Sequence, residues 1–150
     1  MNNFSRSIII NCPVKKLFEF HTDTRNLIKI TPSNIKIKIM KIDLPLGLNS
    51  LIKLNVTQFG IIKTNWNIRL TEFVEFSLIT DTQEKGPFKK WIHKHCFEDY
   101  GGNTKMTDIV NYELPFGFAG KSAGKLFVSK LINKQFEFRH EATKKILENG

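Results

Sequence analysis

The sequence predicts an α+β protein with seven strands, two short helices after the first strand, and one long C-terminal helix. Apolar and polar residues alternate along several segments, which is the period of strands with one buried face. Turn residues separate these segments, so successive strands are expected to pair as antiparallel hairpins. The final segment has helical spacing, and its apolar face can cover the sheet.

The N-terminal elements are a strand over about residues 4–10 and two short helices. Pro13 is tolerated in a first helical turn, so the first helix begins there. Its apolar residues are Leu17, Phe18 and Phe20. A second helical turn, capped by Asp23 or Thr24, is expected to end before Pro32.

Six further strands follow, separated by glycine- and proline-containing turns. Ile35, Ile37 and Ile39 alternate with polar or lysine residues, and similar patterns recur downstream. The predicted strands cover about residues 35–40, 52–57, 65–70, 74–81, 88–98 and 104–114. The alternation does not fix the facing of the strand at 74–81.

The last element is a helix predicted over about residues 120–147. One stripe at helical spacing is expected to face the sheet and consists of Phe127, Leu131, Gln135, Phe138, Ala142 and Ile146. Val128, Ile132 and Phe136 widen this stripe. The glycines between Gly117 and Gly124 match no phosphate-binding loop and are expected to turn the chain into the helix.

Length and charge limit the classes of function. A chain of 150 residues has the size of one domain, so we expect a single domain over residues 1–150. The net charge of +9 comes mainly from lysines, because only 4 of the 23 basic residues are arginine. Dispersed lysines are untypical of a specific nucleic-acid reader, which uses clustered arginines. A weak contact with an anionic membrane surface remains open, and nothing predicts the oligomeric state.

Cysteine usage and hydropathy point to a cytoplasmic protein. Cys12 and Cys96 are too few, and show no spacing pattern, for a disulfide framework or a zinc site. The longest uninterrupted run of aliphatic residues, Ile8-Ile9-Ile10, is far shorter than a membrane span or a secretory signal. We therefore expect a cytoplasmic location.

Polar residues on the last two strands are predicted to face inward together. Lys90, Lys94 and Glu98 favour water, so the alternate residues Trp91, His93, His95 and Phe97 lie on the opposite face. The same parity turns Met106, Asp108, Val110, Tyr112 and Leu114 inward on the last strand. A hairpin turn at residues 99–104 sets Glu98 opposite Lys105 and His95 opposite Asp108. A slip of two residues would instead set His93 opposite Asp108.

An inward carboxylate needs a partner, and imidazole is the nearest one. Such a His–Asp pair can close the core, orient a ligand through hydrogen bonds, or act as a general base. His93 and His95 could also share a metal with Asp108, but no further Cys/His cluster supports this. We therefore predict no metal site and no cofactor, and we expect His21 and His140 to be exposed helix residues.

The order of elements resembles the helix-grip fold of the START-like (SRPBCC) superfamily over nearly the whole chain. That superfamily includes polyketide cyclases, coenzyme Q-binding proteins and pollen-allergen-like proteins. The run from Gly86-Pro87-Phe88 to His95-Cys96-Phe97, with Asp108 and Tyr112 downstream, resembles a bacterial cyclase/dehydrase-like subgroup. The resemblance implies a curved antiparallel sheet wrapped around the C-terminal helix, often with a cavity between them.

The resemblance and the inward residues together predict a small-molecule binding or carrier protein. Its ligand would be hydrophobic or aromatic, such as a lipid, an isoprenoid or a polyketide. The expected ligand-binding residues are Trp66, Trp91, His93, His95, Asp108, Tyr112 and Phe138. The alternative is a cyclase or dehydratase in which His95 and Asp108 form the general base. A third hypothesis is an interaction module that uses its lysine-rich surface.

Overall fold

The computed structural model describes residues 1–117 and 121–150 and confirms the predicted order of elements. The strands are β1 (Asn2–Ile10), β2 (Ile35–Ile42), β3 (Leu51–Gln58), β4 (Ile62–Val74), β5 (Leu78–Lys85), β6 (Lys90–Tyr100) and β7 (Asn103–Glu113). The helices are α1 (Val14–Thr22), α2 (Asn26–Lys29) and α3 (Ser122–Asn149). None of the helices in the described ranges combines the length and hydropathy that a membrane span requires.

All seven strands form one antiparallel sheet in the order β1-β7-β6-β5-β4-β3-β2. The pairing of β6 with β7 has the predicted register, with Glu98 opposite Lys105 and His95 opposite Asp108. Bulges interrupt β2 after Ile39 and β4 after Asn67 and Leu70. Such bulges bend a strand and increase its twist, which lets the sheet curve around α3.

Two hydrophobic clusters form the core of the part of the chain that the structure describes. The first cluster lies below α1, where the ring of Phe18 makes edge contacts with Phe73, Phe76 and Phe97. The second cluster joins β7 to α3 and consists of Val110, Tyr112, Leu114, Ile132 and Phe136.

The predicted strand at 74–81 is wrong in its bounds. β4 continues to Val74, and a turn leads into β5 at Leu78. Phe76 has a φ of 59°, in the left-handed region, and Ser77 N–H donates to Val74 O at 3.0 Å. The turn falls inside the predicted strand, so alternation of apolar and polar residues placed the start of β5 too early in the chain. The correct register places Asp81 in the middle of the sheet, opposite His93.

The face of α3 that meets the sheet agrees with the prediction in part, since Ile132 and Phe136 are buried as expected and other residues of the predicted stripe are not. The buried residues are Ile132, Phe136, His140, Thr143 and Leu147. Phe127 and Phe138, from the predicted stripe, are 56% and 43% exposed. Relative to the predicted stripe, the buried face is turned toward His140 and Thr143, two polar residues that lie in the core. The predicted helix start at Gly120 falls outside the described residues.

Candidate functional site

A cavity of about 400 Å³ lies between the sheet and α3. Most of its wall is apolar, and the contributing side chains include Leu54, Val56, Trp66, Trp91, Val128 and Leu131. Asp81, His93, His95 and Arg139 also line this cavity and provide charged and hydrogen-bonding groups. The cavity therefore has the character of a small-molecule binding site, with an apolar wall and a few convergent polar groups.

A second space of about 100 Å³ adjoins the first one near α1 and α2. The two spaces share Asp81, His93, His95 and Arg139 in their linings. Asp108 and His140 line only the smaller space. We name Asp81, His93, His95, Asp108 and His140 the His–Asp cluster. Of its members, Asp81, His93 and His95 lie at the boundary between the two spaces.

Asp108 lies at the centre of the cluster and is 3% exposed. Its Oδ1 accepts a hydrogen bond from His93 Nε2 at 2.7 Å, and its Oδ2 accepts one from His140 Nε2 at 2.5 Å. His95 Nδ1 is 2.9 Å from Asp108 Oδ1. Within the described residues this nitrogen makes no directed hydrogen bond, so its contact with Asp108 is ionic. One buried carboxylate thus holds three imidazole rings, as a buried charge requires.

Asp81 contacts the opposite side of the two β6 histidines. Its Oδ2 is 3.1 Å from His95 Nε2 and 3.9 Å from His93 Nδ1. β5 is the neighbour of β6 in the sheet, and Asp81 pairs with His93 in the register. The centroids of the His93 and His95 rings are only 3.9 Å apart. Both rings are therefore held between two carboxylates.

The pKa values in the cluster follow from burial and from these contacts. Burial opposes the charge on His95, but Asp108 and Asp81 outweigh it and raise the pKa of His95 to about 10. Burial and the nearby charge of His95 lower the pKa of His93. Burial alone would raise the pKa of Asp108, but His95, His140 and His93 hold it well below its usual value. His95 is thus the protonated ring of the β6 pair at neutral pH, and His93 is the neutral one.

Arg139 is the second cationic group of the site. It lies next to His140 on α3, and its guanidinium carbon is 5.2 Å from the centroid of the Phe136 ring. Its Nε is buried and has no hydrogen-bond partner within residues 1–117 and 121–150. Burial lowers the pKa of Arg139, while Asp108 and Asp81 oppose that shift. Arg139 can therefore offer hydrogen bonds to a group that enters the cavity.

The structure brings together most of the predicted site residues. Trp66 and Trp91 line the larger cavity, and their ring centroids are 5.6 Å apart. His93 and His95 line both spaces, and Asp108 lines the smaller one. These placements match the predicted inward facing, while the roles of the residues stay predictions.

Tyr112 faces inward opposite Trp91 as predicted, but neither Tyr112 nor Phe138 lies in the described cavity linings. Tyr112 is 4% exposed and packs against Phe88 and Trp91 in the second hydrophobic cluster, outside the described cavity linings. Phe138 is 43% exposed and is likewise absent from those linings. The rotation of α3 explains the position of Phe138, because the helix presents Phe136 to the sheet instead.

Sequence reasoning missed Asp81, Arg139 and His140, and it wrongly expected His21 and His140 to be exposed. His140 is 1% exposed. His21 is half-buried beside His95, and burial lowers its pKa to about 4. The spacing of Ile132, Phe136 and His140, four residues apart, could have indicated the buried face of α3. No sequence signal pointed to Asp81, because its strand was misplaced.

Comparison with known proteins defines the family. The model of the family described as "Polyketide cyclase / dehydrase and lipid transport" matches residues 10–138. The chain belongs to this family. Membership in the polyketide cyclase/dehydrase family supports a ligand-binding or cyclase role. No curated protein matches the sequence significantly.

Solved structures share the fold of this family member. TTHA0849 from Thermus thermophilus is 15% identical with a TM-score of 0.79, and the match covers 99% of this chain and 98% of that one. A START superfamily protein from Mycobacterium smegmatis is 15% identical with a TM-score of 0.74, covering 98% and 97%. The di-domain ARO/CYC StfQ of the steffimycin biosynthetic pathway is 8% identical with a TM-score of 0.78, covering 98% of this chain and 51% of that one. These similarities show a START-like helix-grip fold.

Proposed function

We propose that this protein binds or carries a hydrophobic or aromatic small molecule in the cavity between the sheet and α3. The observation that carries the proposal is the cavity of about 400 Å³, whose wall is mostly apolar and includes the polar groups of Asp81, His93, His95 and Arg139. Burial of apolar ligand surface supplies the binding free energy, and the polar groups orient the ligand. The lipid-transport part of the family description supports the same function.

The shape of the site favours a ligand with one polar group. Trp66, Phe88 and Trp91 form a set of mutually contacting rings, against which a flat or aliphatic body can pack. His95 and Arg139 carry positive charge beside the cavity, so they favour a carbonyl, phenol or carboxylate oxygen. The ligand we propose therefore has an apolar body and an oxygen-bearing end.

Intrinsic fluorescence provides the test, because both tryptophans of the chain line the cavity. We expect a saturable change in tryptophan emission on titration with long-chain fatty acids, isoprenoid quinones or polycyclic phenols. Native mass spectrometry of freshly purified protein, followed by organic extraction, should show a co-purifying small molecule. The proposal would be overturned if tryptophan emission stayed unchanged with every class of probe and the native mass spectrum showed only ligand-free protein.

A matched pair of variants on α3 locates the binding. Leu131 lines the cavity, whereas Leu126 on the same helix is 57% exposed. Leu131→Phe narrows the cavity and should weaken binding of the tightest-binding probe by about tenfold, or ~1.4 kcal/mol. Leu126→Phe should leave the affinity unchanged. Equal effects of the two substitutions would place the binding site elsewhere.

A cyclase or dehydratase is the second candidate, favoured by the imidazoles of His93 and His95 that Asp108 holds beside the cavity. A fixed imidazole can transfer protons to or from a bound substrate. A linear poly-β-ketone thioester is a suitable probe. For an enzyme, His95→Gln should abolish its conversion while the fluorescence change on binding remains. Absence of conversion by the wild-type protein would leave binding as the function.

A further inference from the structure

Three ligand-type atoms converge on one point of the His–Asp cluster. Asp81 Oδ2, His93 Nδ1 and His95 Nε2 all lie within 4.8 Å of one another. The Asp81 oxygen is 3.1 Å from the His95 nitrogen and 3.9 Å from the His93 nitrogen. In tetrahedral zinc sites with bonds of about 2.0–2.1 Å, neighbouring ligand atoms are about 3.4 Å apart. The two observed distances bracket that value.

We propose that Asp81, His93 and His95 form a binding site for Zn²⁺. Two imidazoles and one carboxylate are a donor set that zinc uses, whereas Mg²⁺ and Ca²⁺ favour sites made of oxygen atoms. The three residues lie on the adjacent strands β5 and β6, where Asp81 pairs with His93. Ligands fixed on paired strands have little freedom to lose on metal binding, which favours affinity.

The surroundings of the two histidines support a metal at this point. Asp108 accepts a hydrogen bond from the far nitrogen of His93 and lies 2.9 Å from the far nitrogen of His95. Metal-binding histidines commonly direct their other ring nitrogen to a carboxylate, which fixes the ring and strengthens its basicity. His140 in turn holds Asp108. The sequence pointed to Asp108 as a third metal ligand, but the structure places Asp81 in that position. Asp108 instead contacts the ring nitrogens that face away from the proposed ion.

The position of the site gives the metal an open side. Its three ligands all line the cavity of about 400 Å³. Zinc with three protein ligands and one open position can bind water or polarise a carbonyl oxygen. A ligand with an oxygen-bearing end could therefore coordinate the ion from the cavity. The zinc site does not depend on the proposed carrier function, because an ion can bind without any organic ligand.

Calorimetric titration of chelator-treated protein with ZnCl₂ tests the proposal. We expect one zinc ion per chain, bound with release of the Nε2 proton that His95 carries in the metal-free protein, because a ligating imidazole nitrogen must be deprotonated. Loss of a residue that only hydrogen-bonds to a metal ligand typically weakens metal binding by about 10- to 100-fold. Asp81→Asn and His95→Gln remove metal ligands, so each should weaken zinc binding by more than that. Asp108→Asn should fall within that range. Asp23→Asn is the matched control, since Asp23 lines the smaller space without belonging to the cluster, and it should leave the affinity unchanged.

Co²⁺ replacement gives an independent readout, because a four-coordinate cobalt site absorbs visible light far more strongly than the hydrated ion. This absorption should appear with the wild-type protein and with Asp23→Asn, and it should be lost with Asp81→Asn. Asp81→Asn keeps the size of a side chain that is 22% exposed, so circular dichroism should show an intact fold even if His95→Gln unfolds.

Two results would overturn the zinc site: no saturable binding of either ion to the wild-type protein, or equal losses in Asp81→Asn and Asp23→Asn. Zinc binding without any fluorescence response to organic probes would support the metal site and count against the carrier function. A fluorescence response to organic probes without zinc binding would support the carrier function and count against the metal site.

Discussion

Replacing Asp108 by Asn tests whether the buried carboxylate holds the His–Asp cluster together. The change keeps the size of the side chain and removes its negative charge. In the wild-type protein Asp108 accepts hydrogen bonds from His93 and His140 and lies 2.9 Å from His95 Nδ1. The variant leaves the charge of His95 with only Asp81 beside it, and the asparagine amide adds a donor where the rings need an acceptor.

The expected loss of unfolding free energy is about 3–5 kcal/mol. Hydrogen bonds to a charged group contribute about 1.5–3 kcal/mol each, and the structure shows two directed ones on Asp108. Breaking a buried ion pair by removing one partner costs about 3–5 kcal/mol, which agrees with that sum. For a chain of this length the melting temperature should fall by about 6–20 °C.

Urea unfolding followed by tryptophan fluorescence measures the effect, with Glu113→Gln as the matched control on the same strand. Glu113 pairs with Lys89 at 3.3 Å and its side chain is 31% exposed, so its loss should cost less than about 1 kcal/mol. If Asp108→Asn also costs less than about 1 kcal/mol, the carboxylate does not hold the three imidazoles, and the reasoning is refuted.

Three further predictions concern the core, the cavity and the metal. Phe18→Ala should cost about 3–5 kcal/mol in urea unfolding, whereas Phe138→Ala, at a residue 43% exposed, should cost far less. Equal costs would contradict the observed rotation of α3. Arg139→Met should weaken fluorescence-detected binding of dodecanoate about tenfold, or ~1.4 kcal/mol, and leave the binding of dodecanol unchanged. Equal weakening of both ligands would show that Arg139 does not recognise the carboxylate charge. Zinc at about 100 times its Kd should raise the melting temperature of chelator-treated protein by about 5–11 °C, and no shift would contradict the metal site.

The sequence determined the parts of the fold that depend on local pattern. Residues alternate along β6 and β7, and a short glycine turn joins these strands, so their register followed from parity and turn length. The pairing of His95 with Asp108 is confirmed for this reason. The same reasoning failed at β5, because the turn before Leu78 uses Phe76 at a positive φ instead of a glycine that would have marked it.

The sequence could not determine which residues of α3 enter the site. Two adjacent stripes of the helix are apolar, so periodicity permits either one to face the sheet. The choice depends on distant partners: Phe136 packs against Phe4, and His140 binds Asp108 from 32 residues away in the chain. A histidine becomes a core residue only where such a partner satisfies it.

Local alternation thus set two histidines and one aspartate on the inner face of the sheet, since side-chain parity depends only on neighbours in sequence. Tertiary structure decided what they meet. The sheet order brings Asp81 of β5 beside them, and the rotation of α3 adds Arg139 and His140. The contacts of α3 join segments far apart in the chain, so only packing of the helix against the sheet could complete the cluster and its cavity.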